Sequence, residues 1–213
     1  MHDKSQLPDV GRLDRKDDGR PLVVGIGGST RHASRSLRAL QIALEGADQA
    51  GAAILLFDIH QLDLPMFDAE HPDYQGENVR ALFAAVRSAQ ALIVGAAVYT
   101  DTVSGALKNL FDYLSILEVD DPPGLTGRVV GRLSVALGLG TMGASMIVET
   151  ICRGLGAWVL PDPVDLAGSS FDEEGHLCDV VARDRLLDLG RRVTAAAIAR
   201  REAAEPARAA ASS

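Results

Sequence analysis

A doubly wound α/β fold, a parallel sheet with helices on both faces, is predicted by three features of this 213-residue chain. Between residues 21 and 201, apolar runs of strand length alternate with amphipathic segments of helix length. The first run, Leu22-Val23-Val24, enters the stretch Gly25-Ile26-Gly27-Gly28-Ser29-Thr30-Arg31-His32-Ala33-Ser34-Arg35-Ser36, and an amphipathic helix runs out of it. The length suits one well-buried domain and is short for two.

Residues 1–20 mix Asp, Lys, Arg, Gly and Pro without apolar periodicity and read as a flexible arm. Leu22 to Ile26 is the first strand, apolar enough to be central and buried. A helix is expected from Ser34 to Ala50, with Leu37, Leu40, Leu44 and Ala47 on one face and Arg38, Gln41, Glu45 and Asp48 opposite. Ala53 to Phe57 is the second strand, and Leu62 to Gly76, with Pro65 and Pro72, is a long loop over the strand ends. Asn78 to Ala89 is a helix and Ala91 to Ala96 the third strand. Ser104 to Leu117 is the best helix, with Leu107, Leu110, Phe111 and Leu114 at helical spacing, and it stops before Pro122-Pro123-Gly124. Arg128 to Leu137 is the fourth strand and Gly143 to Leu155 a helix. Trp158 to Leu160, with part of the segment after Leu160, is the fifth strand. Arg183 to Arg201 closes the domain, with Leu186, Leu189, Val193 and Ala197 inward, and residues 202–213 read as a flexible, alanine-rich tail with Pro206. Five strands and five helices in this order fit a flavodoxin-like sheet of order 2-1-3-4-5.

Composition narrows the function. A formal net charge of −8 argues against nucleic acid as the main partner, and Arg191, Arg192, Arg200 and Arg201 read as a solvated helix face. The chain shows no membrane span and no signal peptide, so a cytoplasmic location is expected. Cys152 and Cys178 lack CxxC spacing and the five histidines are scattered, which favours reduced thiols over a disulfide or zinc site.

The loop after the first strand has the makings of a phosphate cradle. Its glycines allow a tight turn, and the helix that comes next offers unpaired amides and the positive end of its dipole. Ser29, Ser34 and Ser36 add hydroxyls, and Arg31 adds a fork of charged donors. The third glycine of the dinucleotide fingerprint is replaced by Thr30, and the lysine of the triphosphate loop is missing. A monophosphate is the better match; a purely structural glycine turn is the alternative. In an open α/β sheet the ligand lies at the carboxyl ends of the strands. There this loop should meet Ala97-Val98-Tyr99-Thr100-Asp101-Thr102 and Gly138-Leu139-Gly140-Thr141-Met142-Gly143, which are short on charge and suit the edge of a flat polar heterocycle. A phosphate at one end and such a ring at the other describe flavin mononucleotide (FMN).

Taken together, Gly28-Ser29-Thr30-Arg31-His32-Ala33-Ser34, the run from Val98-Tyr99-Thr100-Asp101-Thr102-Val103 to Ser104-Gly105-Ala106-Leu107-Lys108-Asn109, and the third loop resemble the NAD(P)H-dependent FMN reductase family over about residues 21–195. The resemblance is greatest to reductases that supply reduced flavin to a monooxygenase. It implies that Ser29, Arg31, Ser34 and Ser36 hold the FMN phosphate. It also implies that Ala97, Val98, Tyr99 and Thr100, with Gly140, Thr141, Met142 and Gly143, hold the ring largely through main-chain groups. Many members carry proline at the place of Ala97, and asparagine at those of Thr100 and Ser36.

The function expected is reduction of FMN by NADPH or NADH, the reduced flavin passing to a partner monooxygenase or serving in the same pocket. A quinone, azo or chromate reductase that retains its flavin is the alternative enzyme, and a flavodoxin-type electron carrier the alternative of another class. Hydride transfer between two cofactors needs little acid–base help, so no catalytic acid or base is named. Tyr99 reads either as a wall of the ring site or as a half-buried strand-end tyrosine, and Met142 either as a cap on the ring or as packing. Asp58 reads as an exposed loop carboxylate, and Lys108 with Asp112 as a surface helix pair. Ile116, Leu117 and Val119 exceed what one helix face needs; they form either a broad core face or the seam of a homodimer or homotetramer, which the resemblance favours.

Overall fold

The computed structural model describes residues 19–31, 34–71, 76–138 and 140–211, the side chains of 205–211 excepted. The expected arm, save Gly19 and Arg20, lies outside the described residues, as do His32, Ala33, Pro72 and Leu139. The elements are β1 (Leu22–Gly28), α1 (Arg35–Gln49), β2 (Ala53–Asp58), α2 (Ile59–Leu62), α3 (Glu77–Ser88), β3 (Ala91–Tyr99), β4 (Thr102–Val103), α4 (Gly105–Leu114), β5 (Val129–Ala136), α5 (Thr141–Gly154), β6 (Trp158–Val159), β7 (Val164–Ala167) and α6 (Val180–Ala211). A 3-10 turn, Ser115–Val119, finishes the helix expected to end at Leu117, and α6 runs beyond both ends of its expected span.

The strand order is β2-β1-β3-β5-β6, with β7 also paired to β5 and β4 paired to β3. The fold is the expected flavodoxin-like one, but the sheet has seven strands where five were expected. One added strand is β4, which folds back antiparallel on the end of β3. The other arises because the expected fifth strand is broken. Pro161-Asp162-Pro163 removes backbone donors, so Trp158–Val159 pairs with Val129–Val130 and pairing resumes only at Val164. Buried Arg132 faces the break: its guanidinium donates to the carbonyls of Leu160 and Pro161 and pairs with Glu149 of α5.

Alternation along the central strands divides the core. Val24, Ile26, Leu92 and Val94 pack with α3, α4 and α5 on one face, whereas Val23, Ile93, Val129 and Leu133 pack with α1 and α6 on the other. Each large aliphatic side chain buried in this way contributes about 1.5–3 kcal/mol. On the second face the two helices touch backbone to backbone. A Cβ on Gly190 would stand 1.9 Å from the Ala43 carbonyl oxygen, and one on Gly46 would stand 2.1 Å from that of Leu187. The last-helix arginines lie at the surface and make contacts there: Arg191 reaches Gln49, Arg192 reaches Asp188, and Arg200 stacks 4.5 Å from the centre of the Trp158 ring.

Candidate functional site

The loop after β1 is built by a close approach of strands. A Cβ on Gly27 would lie 2.1 Å from the Gly95 carbonyl oxygen of β3, so glycine lets the two strands meet at their carboxyl ends. Gly28 then takes φ 98°, in the left-handed region, and turns the chain into the loop. Ser29 is buried and accepts a hydrogen bond from the Arg31 amide at 3.2 Å. Ser34 caps α1: its Oγ accepts from the Leu37 amide at 3.2 Å and lies 3.0 Å from Ser36 Oγ. Both hydroxyls are buried. The first turn of α1 carries no acidic residue of its own, and the positive end of its dipole faces the loop. Arg31 is exposed.

Asp58 departs from expectation. It is buried at the end of β2, where its Oδ1 accepts from the His60 amide at 3.1 Å and caps α2. A Cβ on Gly28 would stand 2.9 Å from that same oxygen, so the carboxylate packs under the glycine turn and is not on an exposed loop.

The second predicted loop is in fact a hairpin. Ala97, Val98 and Tyr99 continue β3, with Val98 opposite Val103 and Tyr99 opposite Thr102. Thr100 (φ 50°) and Asp101 (φ 59°) form the two-residue tip, both left-handed, the backbone form that suits the twist of a tight hairpin. Ala97 is buried, Val98 half-buried, Tyr99 exposed by 39%, and Thr100 exposed.

Of the third predicted loop, Thr141, Met142 and Gly143 are already the first turn of α5, and Gly140 (φ 102°), which has no side chain to cap it, stands at its N-cap. The hairpin tip packs here. Asp101 Oδ1 lies 2.2 Å from where a Gly140 Cβ would be, and the Asp101 carbonyl oxygen 2.6 Å from that of Gly143. Glycine at these positions makes room for the tip.

Strand register brings the three segments together. Gly28 stands opposite Ala96, and Ala97 opposite Val135, so β1, β3 and β5 run out at the same edge of the sheet, with β3 extending past the end of β1 to Tyr99. Neighbouring exits are about 4.8 Å apart and the outer two about 10 Å, the span of a small planar ligand with a side arm. Ser29, Ser34 and Ser36 lie buried at one end of this row, and Tyr99, Leu137 and Met142 present exposed apolar surface at the other.

Two supports were not legible in the sequence. Asp165 of β7 accepts from Ser134 Oγ of β5 at 2.7 Å and from Ser145 Oγ of α5, and Ser134 also reaches the Thr141 carbonyl at 3.2 Å. These bonds fix the amino end of α5 against the sheet. Buried Asn109 of α4 donates to the Pro65 carbonyl at 2.8 Å and accepts from the Phe67 amide at 2.8 Å, pinning the segment after α2. Only a residue in an unexpected setting, such as Asp165 within an apolar run, hinted at either.

Other candidates stand apart from the row. Lys108 and Asp112 form the expected surface pair. Cys152 is buried within α5, where desolvation pushes its thiol up to about 12, and Cys178 is exposed. Leu117 belongs to the core, whereas Val119 is 87% exposed. Among the described residues no helix is long and apolar enough to cross a membrane.

The sequence model described as NADPH-dependent FMN reductase matches residues 21–171. An NAD(P)H-dependent FAD/FMN reductase of Geobacillus thermodenitrificans is 27% identical over 140 residues, which are 64% of this chain and 71% of that protein. An NADPH azoreductase of a Bacillus species is 32% identical over 114 residues, 53% of this chain and 61% of its own length. The crystal structure of RosB with a bound 8-demethyl-8-formylriboflavin-5'-phosphate intermediate superposes with a TM-score of 0.72 over 85% of this chain and 81% of RosB. At 15% identity that likeness is one of fold.

Proposed function

The chain belongs to the NADPH-dependent FMN reductase family, and from that premise we propose that the row of loops at the carboxyl end of its sheet holds FMN for reduction by NAD(P)H. The observation that carries the placement is the register: one edge of the sheet bears buried serine hydroxyls at one end and exposed Tyr99, Leu137 and Met142 at the other. That combination fits an amphipathic ligand with a phosphate tail and a flat ring.

FMN, when bound, supplies a ring that takes up a hydride and passes its electrons on. Everything else is the protein's work of binding and orientation. Ser29 donates its hydroxyl hydrogen to the phosphate, and the free amides at the start of α1 add the helix dipole. Of the two hydroxyl hydrogens of Ser34 and Ser36, one makes the bond between them and the other is left to donate to the phosphate, and exposed Arg31 adds its guanidinium. The backbone of Ala97 to Thr100 and the first turn of α5, Gly140 to Gly143, line the ring, with Tyr99 as a wall and Met142 at its edge. No side chain is assigned as acid or base.

Reduced flavin either leaves for a partner monooxygenase or is reoxidised in place. The similarity to an azoreductase favours a second reading, in which FMN stays bound and a quinone or azo compound is the acceptor. Steady-state NAD(P)H oxidation separates the two. Saturation by added FMN with no further acceptor supports supply of reduced flavin. Full activity toward a quinone without added FMN supports the retained cofactor and overturns the first reading. We further assign the protein to the cytoplasm as a homodimer or homotetramer, with exposed Val119 in the contact; a monomeric mass in solution would contradict the assembly.

A further inference from the structure

The hairpin tip does more than end a strand. Thr100 and Asp101 both hold left-handed backbone, a form non-glycine residues take at a cost and keep only where packing enforces it. The packing is supplied by Asp101. Its carboxylate lies against Gly140 and its carbonyl against Gly143, at a helix end whose N-cap glycine has no side chain to cap it. The first amides of α5 have no partners within the helix, and a carboxylate beside them is favoured by the dipole. The hairpin of β3 and β4 and the start of α5, which already share a core through Val103 and Ala144, thereby also meet at the hairpin tip.

We propose that Asp101 is a positioning residue that latches the hairpin onto the amino end of α5 and sets the width of the slot that receives the flavin ring. The inference rests on the FMN reading above and goes beyond it by assigning the ring end's geometry to a residue that need not touch the ring. Without the latch the hairpin tip is free to shift against the start of α5, although Val103 still packs on that helix, and ring binding weakens. The cradle of Ser29, Ser34 and Ser36 lies on the other side of β3 and is unaffected. Flavins with and without a phosphate should therefore lose affinity by the same factor.

The test is titration of the wild type, Asp101→Ala and Asp101→Asn with FMN and with riboflavin, read by quenching of flavin fluorescence. Hydrogen exchange over residues 141–144 of the ligand-free proteins accompanies it. Asp101→Ala loses the charge and the left-handed tolerance and should weaken both flavins about tenfold, with faster exchange at the start of α5. Asp101→Asn keeps the size and the left-handed form and loses only the charge, so both affinities should fall about threefold. If Asp101→Ala does not fold, the Asn variant alone decides. Unchanged affinities, unchanged exchange, or a loss confined to FMN would overturn the latch. Failure of the wild type to bind FMN would instead overturn the reading on which the latch rests.

Discussion

Replacing Ser34 by alanine removes one oxygen atom with two structural duties. Its Oγ accepts from the Leu37 amide and so caps α1, and it forms the 3.0 Å contact with Ser36 Oγ. Loss of a serine cap costs about 1 kcal/mol. Ser36 is only 2% exposed, so leaving its hydroxyl without a partner costs about 1 kcal/mol more. The sum of about 2 kcal/mol should lower the midpoint of thermal unfolding by about 4–8 °C for a domain of this size. Ser36→Ala breaks the hydroxyl contact and spares the cap, so its cost should be about half as large, and the two losses in the double variant should fall short of additivity by about 0.5–1 kcal/mol. Urea unfolding of the ligand-free proteins at constant m-value reads all three. A Ser34→Ala variant as stable as the wild type, or strict additivity in the double variant, would refute this arrangement of the cradle.

Thr100→Asn should stabilise the protein by about 0.5–1 kcal/mol, because asparagine accepts the left-handed form that a β-branched residue resists; a loss of stability in urea would contradict the hairpin geometry. It also installs the residue that many members of the resembling family carry. Gly190→Ala should cost about 3 kcal/mol or prevent folding, since the new methyl group meets the Ala43 carbonyl at 1.9 Å; unfolding near the wild-type midpoint would show that α1 and α6 are not in backbone contact. With a disulfide reagent at mildly alkaline pH, the native protein should expose one reactive thiol, Cys178, and the unfolded protein two. Burial keeps the Cys152 thiol protonated until about pH 12, so raising the pH from 7 to 9 should not recruit it; rapid modification of Cys152 in the folded state would contradict its setting.

The features legible in the sequence were local. The strands could be read because central parallel strands are apolar throughout, and the phosphate cradle because its glycines, serines and helix start lie within one short stretch. Features that depend on distant partners were lost. The hairpin at Thr100-Asp101 carries no Asn-Gly signature, and its left-handed tip is held by room left at Gly140 and Gly143, about forty residues on. Asp58 looked exposed because its neighbour Gly28 comes from another strand. The break between β6 and β7 was written in Pro161 and Pro163, yet the sequence alone does not show that Arg132 would fill it. Asp165, shared by Ser134 and Ser145, joins three elements with no spacing rule to announce it.

That this chain binds FMN in the row of loops and reduces it with a nicotinamide is tested most directly by anaerobic mixing. The purified protein is loaded with FMN, mixed with NADPH and, separately, with NADH, and the visible absorbance of the oxidised flavin is followed in time. Bleaching is expected that depends on the protein, saturates with the nicotinamide, and slows at low FMN when Ser29 is replaced by alanine. An oxidised flavin that persists with both nicotinamides would contradict this reading and would leave a carrier of electrons in place of a reductase.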